Sequence, residues 1–318
     1  MTPPPPPLGR PRKKDDRLFD PALGDEGLVD TRAQFTQGRW TAARALLAAT
    51  GEDWDRRGHR VTVLADTPNA AVWAREWLLA EPDSADAVLL LACADVHGAL
   101  RTRGPRVTPE HAADLCLRAA TLLPADPTPW LALLMLSRAH GSSEEFGRHF
   151  DQVRVRHPEH HHAHHLMVAH LAERGARTGP DLLHEVYDFA AWAAEEAPAD
   201  SPLAVLPVIA HAERFRVLGA DPDPAGADVT AHWSGRRARH ILRGAFDWWL
   251  EWERDDHPRN RVDLNFLAHA KLGEGRPAEA AALFHRIGRH ATRAPWSYPD
   301  RDAHAAFLAA REAALGTV

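Results

Sequence analysis

The stretch Trp77-Leu78-Leu79-Ala80-Glu81-Pro82-Asp83-Ser84-Ala85 decides the reading of the fold. An Ala/Leu/Trp-rich run of helical period ends at it, and a second such run begins beyond Pro82. Proline has no amide hydrogen and its ring clashes with the preceding turn, so it stops one helix and frees the next to fold back. The same arrangement recurs at Leu122-Leu123-Pro124-Ala125-Asp126-Pro127, Arg154-Val155-Arg156-His157-Pro158 and Ala193-Ala194-Glu195-Glu196-Ala197-Pro198. Alternation of β-branched and aromatic residues is nearly absent, so strands are not expected. The pattern predicts an all-α chain: about thirteen to fifteen helices in antiparallel hairpins, stacked as an α-solenoid. A concave groove lined by the first helices of the hairpins is the expected binding surface.

Two segments carry a shared spacing. Gly38, Ala43 and Leu47 repeat as Gly275, Ala280 and Phe284. The glycine permits the positive φ of a tight turn, the alanine allows close helix approach, and the large residue fills the space beyond it. On these residues both segments resemble tetratricopeptide-type helix–turn–helix units, the second running from Asp263 to Gly288. Spacing between the joints is irregular: Pro82 to Pro127 is 45 residues, Pro127 to Pro158 is 31 and Pro158 to Pro198 is 40. The expected fold is therefore tetratricopeptide-like with divergent repeats. A second resemblance follows the order of Trp77 to Ala85, Arg103-Gly104, Phe189 to Trp192, and Ile287-Gly288 with Pro295-Trp296-Ser297-Tyr298. These landmarks are similar to a bacterial domain family of unknown function. That resemblance implies a helical cytoplasmic protein and transfers no catalytic residue.

Composition sets further bounds. The chain has 318 residues, 45% of them apolar and 26% charged, with a net charge of −6. Such a balance gives no basic face for nucleic acid. No apolar run approaches the ~20 residues of a membrane span, and the basic residues near the N-terminus precede no apolar core of a secretory signal. Cys93 and Cys116 sit in apolar helical runs and read as buried, reduced thiols. Scarce lysine and isoleucine beside abundant Ala, Arg, Pro and Gly resembles the coding bias of a high-GC bacterium. The expected setting is a bacterial cytoplasm. Residues 1–24 read as a disordered Pro-rich and basic tail, 25–218 as the helical array, and 219–318 as a C-terminal helical region with a tetratricopeptide-like hairpin; the alternative division is one continuous domain over 25–318. A Pro/Gly/Asp loop at 219–228 marks the joint.

Two departures stand out. His157, His160, His161, His162, His164, His165 and His170 crowd one segment. Within a helix, His157/His161, His160/His164 and His161/His165 are i, i+4 pairs, one turn apart and able to share a divalent metal. Glu159 is near in sequence but on another face, and no H-E-x-x-H pattern is present, since His184-Glu185 leads into Val186-Tyr187-Asp188. A mostly solvated helix face is the plainer reading. Protonating all 21 histidines would carry the net charge from −6 to +15, so mild acid is expected to loosen this helix by repulsion. The other departure is the helix near Arg236 to Glu253. Its stripe of Ile241, Ala245, Trp248, Trp249 and Trp252 reads as core packing or as an interface patch, and Arg236, Arg237, Arg239 and Arg243 as partners either of an acidic protein or of Glu251, Glu253, Asp255 and Asp256.

Ser142-Ser143-Glu144-Glu145 and Thr108-Pro109-Glu110-His111 read as helix starts. No phosphate-binding glycine loop, dinucleotide fingerprint or nucleophile elbow occurs. The expectation is a non-catalytic scaffold for a protein or peptide, with no cofactor, no resident metal, no nucleic acid and no membrane. The alternative is a ligand-, metal- or pH-responsive regulator using the His-rich helix around 157–170.

Overall fold

The computed structural model describes residues 18–101, 107–174, 184–220, 232–252 and 256–316. The tail of residues 1–17, most of the 219–228 joint, Arg103-Gly104, and Glu253 with Asp255 lie outside the described residues. Every regular element among the described residues is helical, with no strand. The α-helices are α1 Glu26–Phe35, α2 Trp40–Thr50, α3 Trp54–Ala65, α4 Ala70–Ala80, α5 Ala85–Leu100, α6 Pro109–Leu122, α7 Thr128–His140 and α8 Ser143–Arg156. They continue as α9 His161–Glu173, α10 Glu185–Glu196, α11 Leu206–Gly219, α12 Arg236–Trp252, α13 Asn260–Gly273, α14 Pro277–Ile287, α15 Arg293–Trp296 and α16 Ala303–Leu315. That makes sixteen among the described residues, one more than the upper expectation, because the aromatic loop after α14 holds the short α15.

The proline joints act as their chemistry requires. α4, α6, α8 and α10 all end just before Pro82, Pro124, Pro158 and Pro198. The starts are capped by side chains: Ser84 accepts from Ala87 N at 3.3 Å, Thr108 from His111 N at 3.3 Å and Ser142 from Glu145 N at 3.1 Å. Gly38 and Gly275 hold φ of +85° and +80°, where a Cβ is strained. The alanines that follow, Ala43 and Ala280, are fully buried, as are Leu47 and Phe284.

Each odd-numbered helix from α1 to α13 packs on the next odd one as well as on its sequence neighbour. The odd helices are consequently covered on several sides. α5 buries every residue from Ala87 to Val96, the mark of a helix enclosed in the protein rather than lining an open groove. The two ends of the described chain also meet. Ala291 N donates to Leu18 O at 2.9 Å, Arg261 Nη1 to Leu23 O at 2.6 Å and Arg56 Nη2 to Asp256 O at 2.6 Å. One core gathers Leu18, Leu23 and residues from Val168 to Ala314, and a second runs from Ala22 to Leu136. Cys93 and Cys116 are free thiols in the second core. No described helix is long and apolar enough to cross a membrane.

A buried cation ties the N-terminal half together. Arg57 on α3 is 5% exposed and pairs through Nε with Asp126 at 2.6 Å and through Nη2 with Asp86 at the start of α5. Deleting one partner of a buried pair strands the other charge, at about 3–5 kcal/mol. Arg57→Ala should lower stability by that amount in urea denaturation, whereas a surface exchange such as Arg148→Ala should cost under about 1 kcal/mol.

On α12 the buried stripe is Ala238, Leu242, Ala245 and Trp249. It is rotated from the expected stripe: Trp252 is 40% exposed and Ile241 half-buried. Arg237 lies over the Tyr187 ring at 4.8 Å and 3.9 Å from Asp188.

Candidate metal centre

α9 explains why the histidines are not on a solvated face. α7, α8, α10 and α11 all pack against it, and His160, His161, His164 and His165 are buried. The expectation of a solvated helix face fails because tertiary cover, not side-chain polarity, sets the burial of this helix. The seven histidines from His157 to His170 divide by position, five of them within α9. His157 is the C-cap of α8 and His160 the N-cap of α9, with Nδ1 accepting from Ala163 N at 3.4 Å. His164 Nδ1 donates to His160 O at 3.0 Å and its ring meets Phe150 edge-on. His170 stacks on Phe146 at 4.1 Å between centroids. His184 caps α10. Only the His161/His165 pair remains as two neighbouring imidazoles of one helix, their centroids 4.2 Å apart.

Both of these rings turn toward one carboxylate that sequence inspection did not pick out as a ligand. Asp263, in the first turn of α13, lies 2.8 Å from His161 Nε2 through Oδ2 and 3.2 Å from His165 Nε2 through Oδ1. One ligand atom from each of His161, His165 and Asp263 falls within 4.8 Å of the other two, and all three residues are buried. α11 packs on both α9 and α13 and so fixes their spacing. Asp263 Oδ1 and His161 Nδ1 make no hydrogen bond.

A second carboxylate holds the same junction from the other side. Asp55 on α3 is 2.9 Å from His157 Nε2 and 3.5 Å from His257 Nε2, and it accepts the backbone N–H of His161 at 3.0 Å. The His257 ring is 4.8 Å from that of His161. Three segments about a hundred residues apart, at Asp55, His157–His165 and His257–Asp263, thus converge on one point.

The protonation states suit metal ligation. Burial, the largest influence, pushes His161 down to about 3 even though Asp263 lies beside it. Burial alone would raise the Asp263 carboxyl, but the charges and hydrogen bonds of His161 and His165 outweigh it and hold it below the ordinary carboxylate range. A neutral imidazole and an ionised carboxylate are the forms that bind a cation. Asp55 is likewise held well below its usual range, burial being overcome by His160, His157 and His257. His157 is raised: burial is outweighed by its bond to Asp55.

Two cavities flank the three ligands. One, of about 390 Å³, is lined by Asp55, His157, His257, Asp263 and the Trp248 and Trp249 rings. The other, of about 640 Å³, is lined by His59, His162, His165 and Arg259. The carboxylate faces the first and His165 the second, so an ion between them has room for further ligands on either side.

No protein-family model and no curated protein matches this chain. Its function is read from the geometry above.

Proposed function

We propose that this chain is a metal-responsive helical-repeat protein that binds one divalent transition-metal ion on His161, His165 and Asp263. The observation that carries the reading is the buried two-histidine, one-carboxylate set drawn from two helices. Three protein ligands with an open position is the arrangement of catalytic zinc sites, and two histidines with one carboxylate also suit non-haem iron. A tetrahedral ion about 2.1 Å from each ligand sets them about 3.4 Å apart, and here one ligand atom from each residue lies within 4.8 Å of the other two. With an ion bound, His161 would carry its N–H on Nδ1 and leave the Nε2 lone pair for the metal. His161 Nδ1 makes no hydrogen bond that would resist this tautomer. In this reading the hairpins form a tetratricopeptide-like solenoid, and the ion ties α9 to α13. Occupation then stabilises the native fold against unfolding.

Metal analysis of untagged protein tests this. One zinc, iron or cobalt per chain should survive mild chelation, and His161→Ala with His165→Ala should remove it. Wild type that carries no more metal than the double variant contradicts the reading.

A second reading, a protein- or peptide-binding scaffold in a bacterial cytoplasm, is favoured by one observation. Leu79, Leu122 and Val155, at the C-terminal ends of α4, α6 and α8, are 78%, 47% and 78% exposed. Recurrence of exposed apolar side chains at equivalent joints fits a docking edge. Capture of the same partner by wild type but not by Leu79→Asp with Val155→Asp tests it.

A further inference from the structure

The larger of the two cavities beside the metal ligands, about 640 Å³, lies within the range of small-molecule sites. α3, α9 and α13 wall it together with residues 291–294. Much of the wall is apolar, with Phe19, Leu166, Val262 and Phe266 facing the space.

The charges on this wall are matched or solvated, with one exception. Asp20 pairs with Arg32 at 2.8 Å, Asp66 lies 3.5 Å from Arg101, and Glu213 pairs with Arg216 at 2.8 Å. Arg138 pairs with Glu173 at 2.9 Å, and Arg293 is exposed to water. Arg259, just before α13, is the exception. It is half-buried, and among the described residues its guanidinium makes no hydrogen bond and no ion pair. Only Nε is fully enclosed; Nη1 and Nη2 both keep accessible surface. The side chain lines this cavity and not the other, although Pro258 and Asn260 on either side of it line that one.

A cation withdrawn from water without a counter-charge is costly, so it needs a reason. Burial is the largest influence on Arg259 and lowers its pKa, while Asp263 and Asp55 offset part of that from a distance. Those two carboxylates are within reach of His161 and His157 instead. The imidazoles beside Arg259 add no charge of their own. Burial, with Arg259 as a further cause, holds His59 down to about 3 and His162 well below its ordinary value.

We propose that this cavity binds an organic monocarboxylate with an apolar body, its carboxylate held by the two terminal nitrogens of Arg259. The planar guanidinium fork matches a carboxylate with two parallel hydrogen bonds. One unmatched cation calls for one negative charge, and Asp20, Asp66 and Glu213 on the same wall oppose a second. The aromatic and aliphatic side chains cover the rest of the ligand. The site requires no metal and so goes beyond the metal-responsive reading.

Calorimetric titration of the full chain with octanoate at pH 8 tests this. The expected result is saturable binding at one site per chain, unchanged after chelator treatment. Inorganic phosphate has no apolar body and should bind at least about tenfold more weakly, since each buried CH₂ adds to the affinity of octanoate. Arg259→Gln removes the charge without breaking a side-chain bond of the fold. It should weaken octanoate binding about 10–100-fold with helicity unchanged, the loss of a charge-assisted pair. Arg259→Lys keeps the charge without the fork and should weaken it less. No saturable binding, phosphate binding as tight as octanoate (an adventitious ion only), or equal octanoate binding by Arg259→Gln and wild type overturns the proposal. Binding that chelation abolishes overturns it as well, because the carboxylate would then sit on a metal.

Discussion

Asp263→Ala should abolish stable metal binding and also destabilise the metal-free protein. The affinity effect follows from coordination. Losing a direct ligand should exceed the about 10–100-fold produced by disturbing a residue that only hydrogen-bonds a ligand, so a drop of at least about 100-fold for zinc or cobalt is expected. The stability effect follows from burial. His161 Nε2 would lose its acceptor at a buried position, and a stranded buried donor costs about 1–3 kcal/mol. A loss of about 1–3 kcal/mol in metal-free urea denaturation is the expected result. Added zinc should stabilise wild type and leave Asp263→Ala unmoved, since only an ion bound to the native state shifts the equilibrium. Equal zinc stabilisation of both proteins would remove Asp263 from the centre.

Acidification from pH 8 should unfold the protein between about pH 6 and 5, well above the range in which carboxylates protonate. His59, His161 and His269 are pushed by burial to about 3, and His160 and His164 to about 4. The ordinary value, 6.5, applies to the unfolded chain. A depressed folded value means that the unfolded chain takes up protons first. The stability these neutral rings confer is complete above pH 6.5 and falls as pH drops toward their folded values. At pH 5 each of the five has lost about 2 kcal/mol, together about 10 kcal/mol, which equals the whole stability of an ordinary domain. His157 has the opposite sign. Its raised value confers stability that is complete below pH 6.5 and is lost as pH rises through the folded value, so it opposes the loss in acid. Asp55 and Asp263 are lowered, and their contribution is lost only below about pH 4. Circular dichroism from pH 8 to 4 reads this out. A cooperative native fold persisting at pH 4 would mean that these rings are not held neutral by burial. The acid response expected from the sequence is retained, but its cause is burial of neutral imidazoles rather than repulsion across a solvated face.

The joints were legible because they are local. A proline after a helical run, a serine or threonine cap, and a glycine that must turn with positive φ each act through neighbours within a few residues. Pro82, Ser142, Gly38 and Gly275 therefore read correctly from sequence. The pairing of His161 with His165 was legible for the same reason, as an i, i+4 relation. Asp263 was not. It entered the reading only as the start of a hairpin, because nothing local marks a carboxylate whose partners lie 98 and 102 residues earlier. Asp55 and the Arg57–Asp126 pair escaped for the same reason. The burial of α9 was misjudged because its histidines count as polar in any hydropathy pattern, while its four packed neighbours decide what water reaches. The rotated stripe of α12 shows the same limit: helical period finds an apolar face, and neighbouring elements choose which part of it is covered.

The most direct test is diffraction from crystals of the full chain grown with zinc, recorded on both sides of the zinc absorption edge. The account predicts an anomalous peak about 2.0–2.2 Å from His161 Nε2, His165 Nε2 and an Asp263 oxygen. Zinc found only at surface histidines, with no peak between α9 and α13, would contradict it.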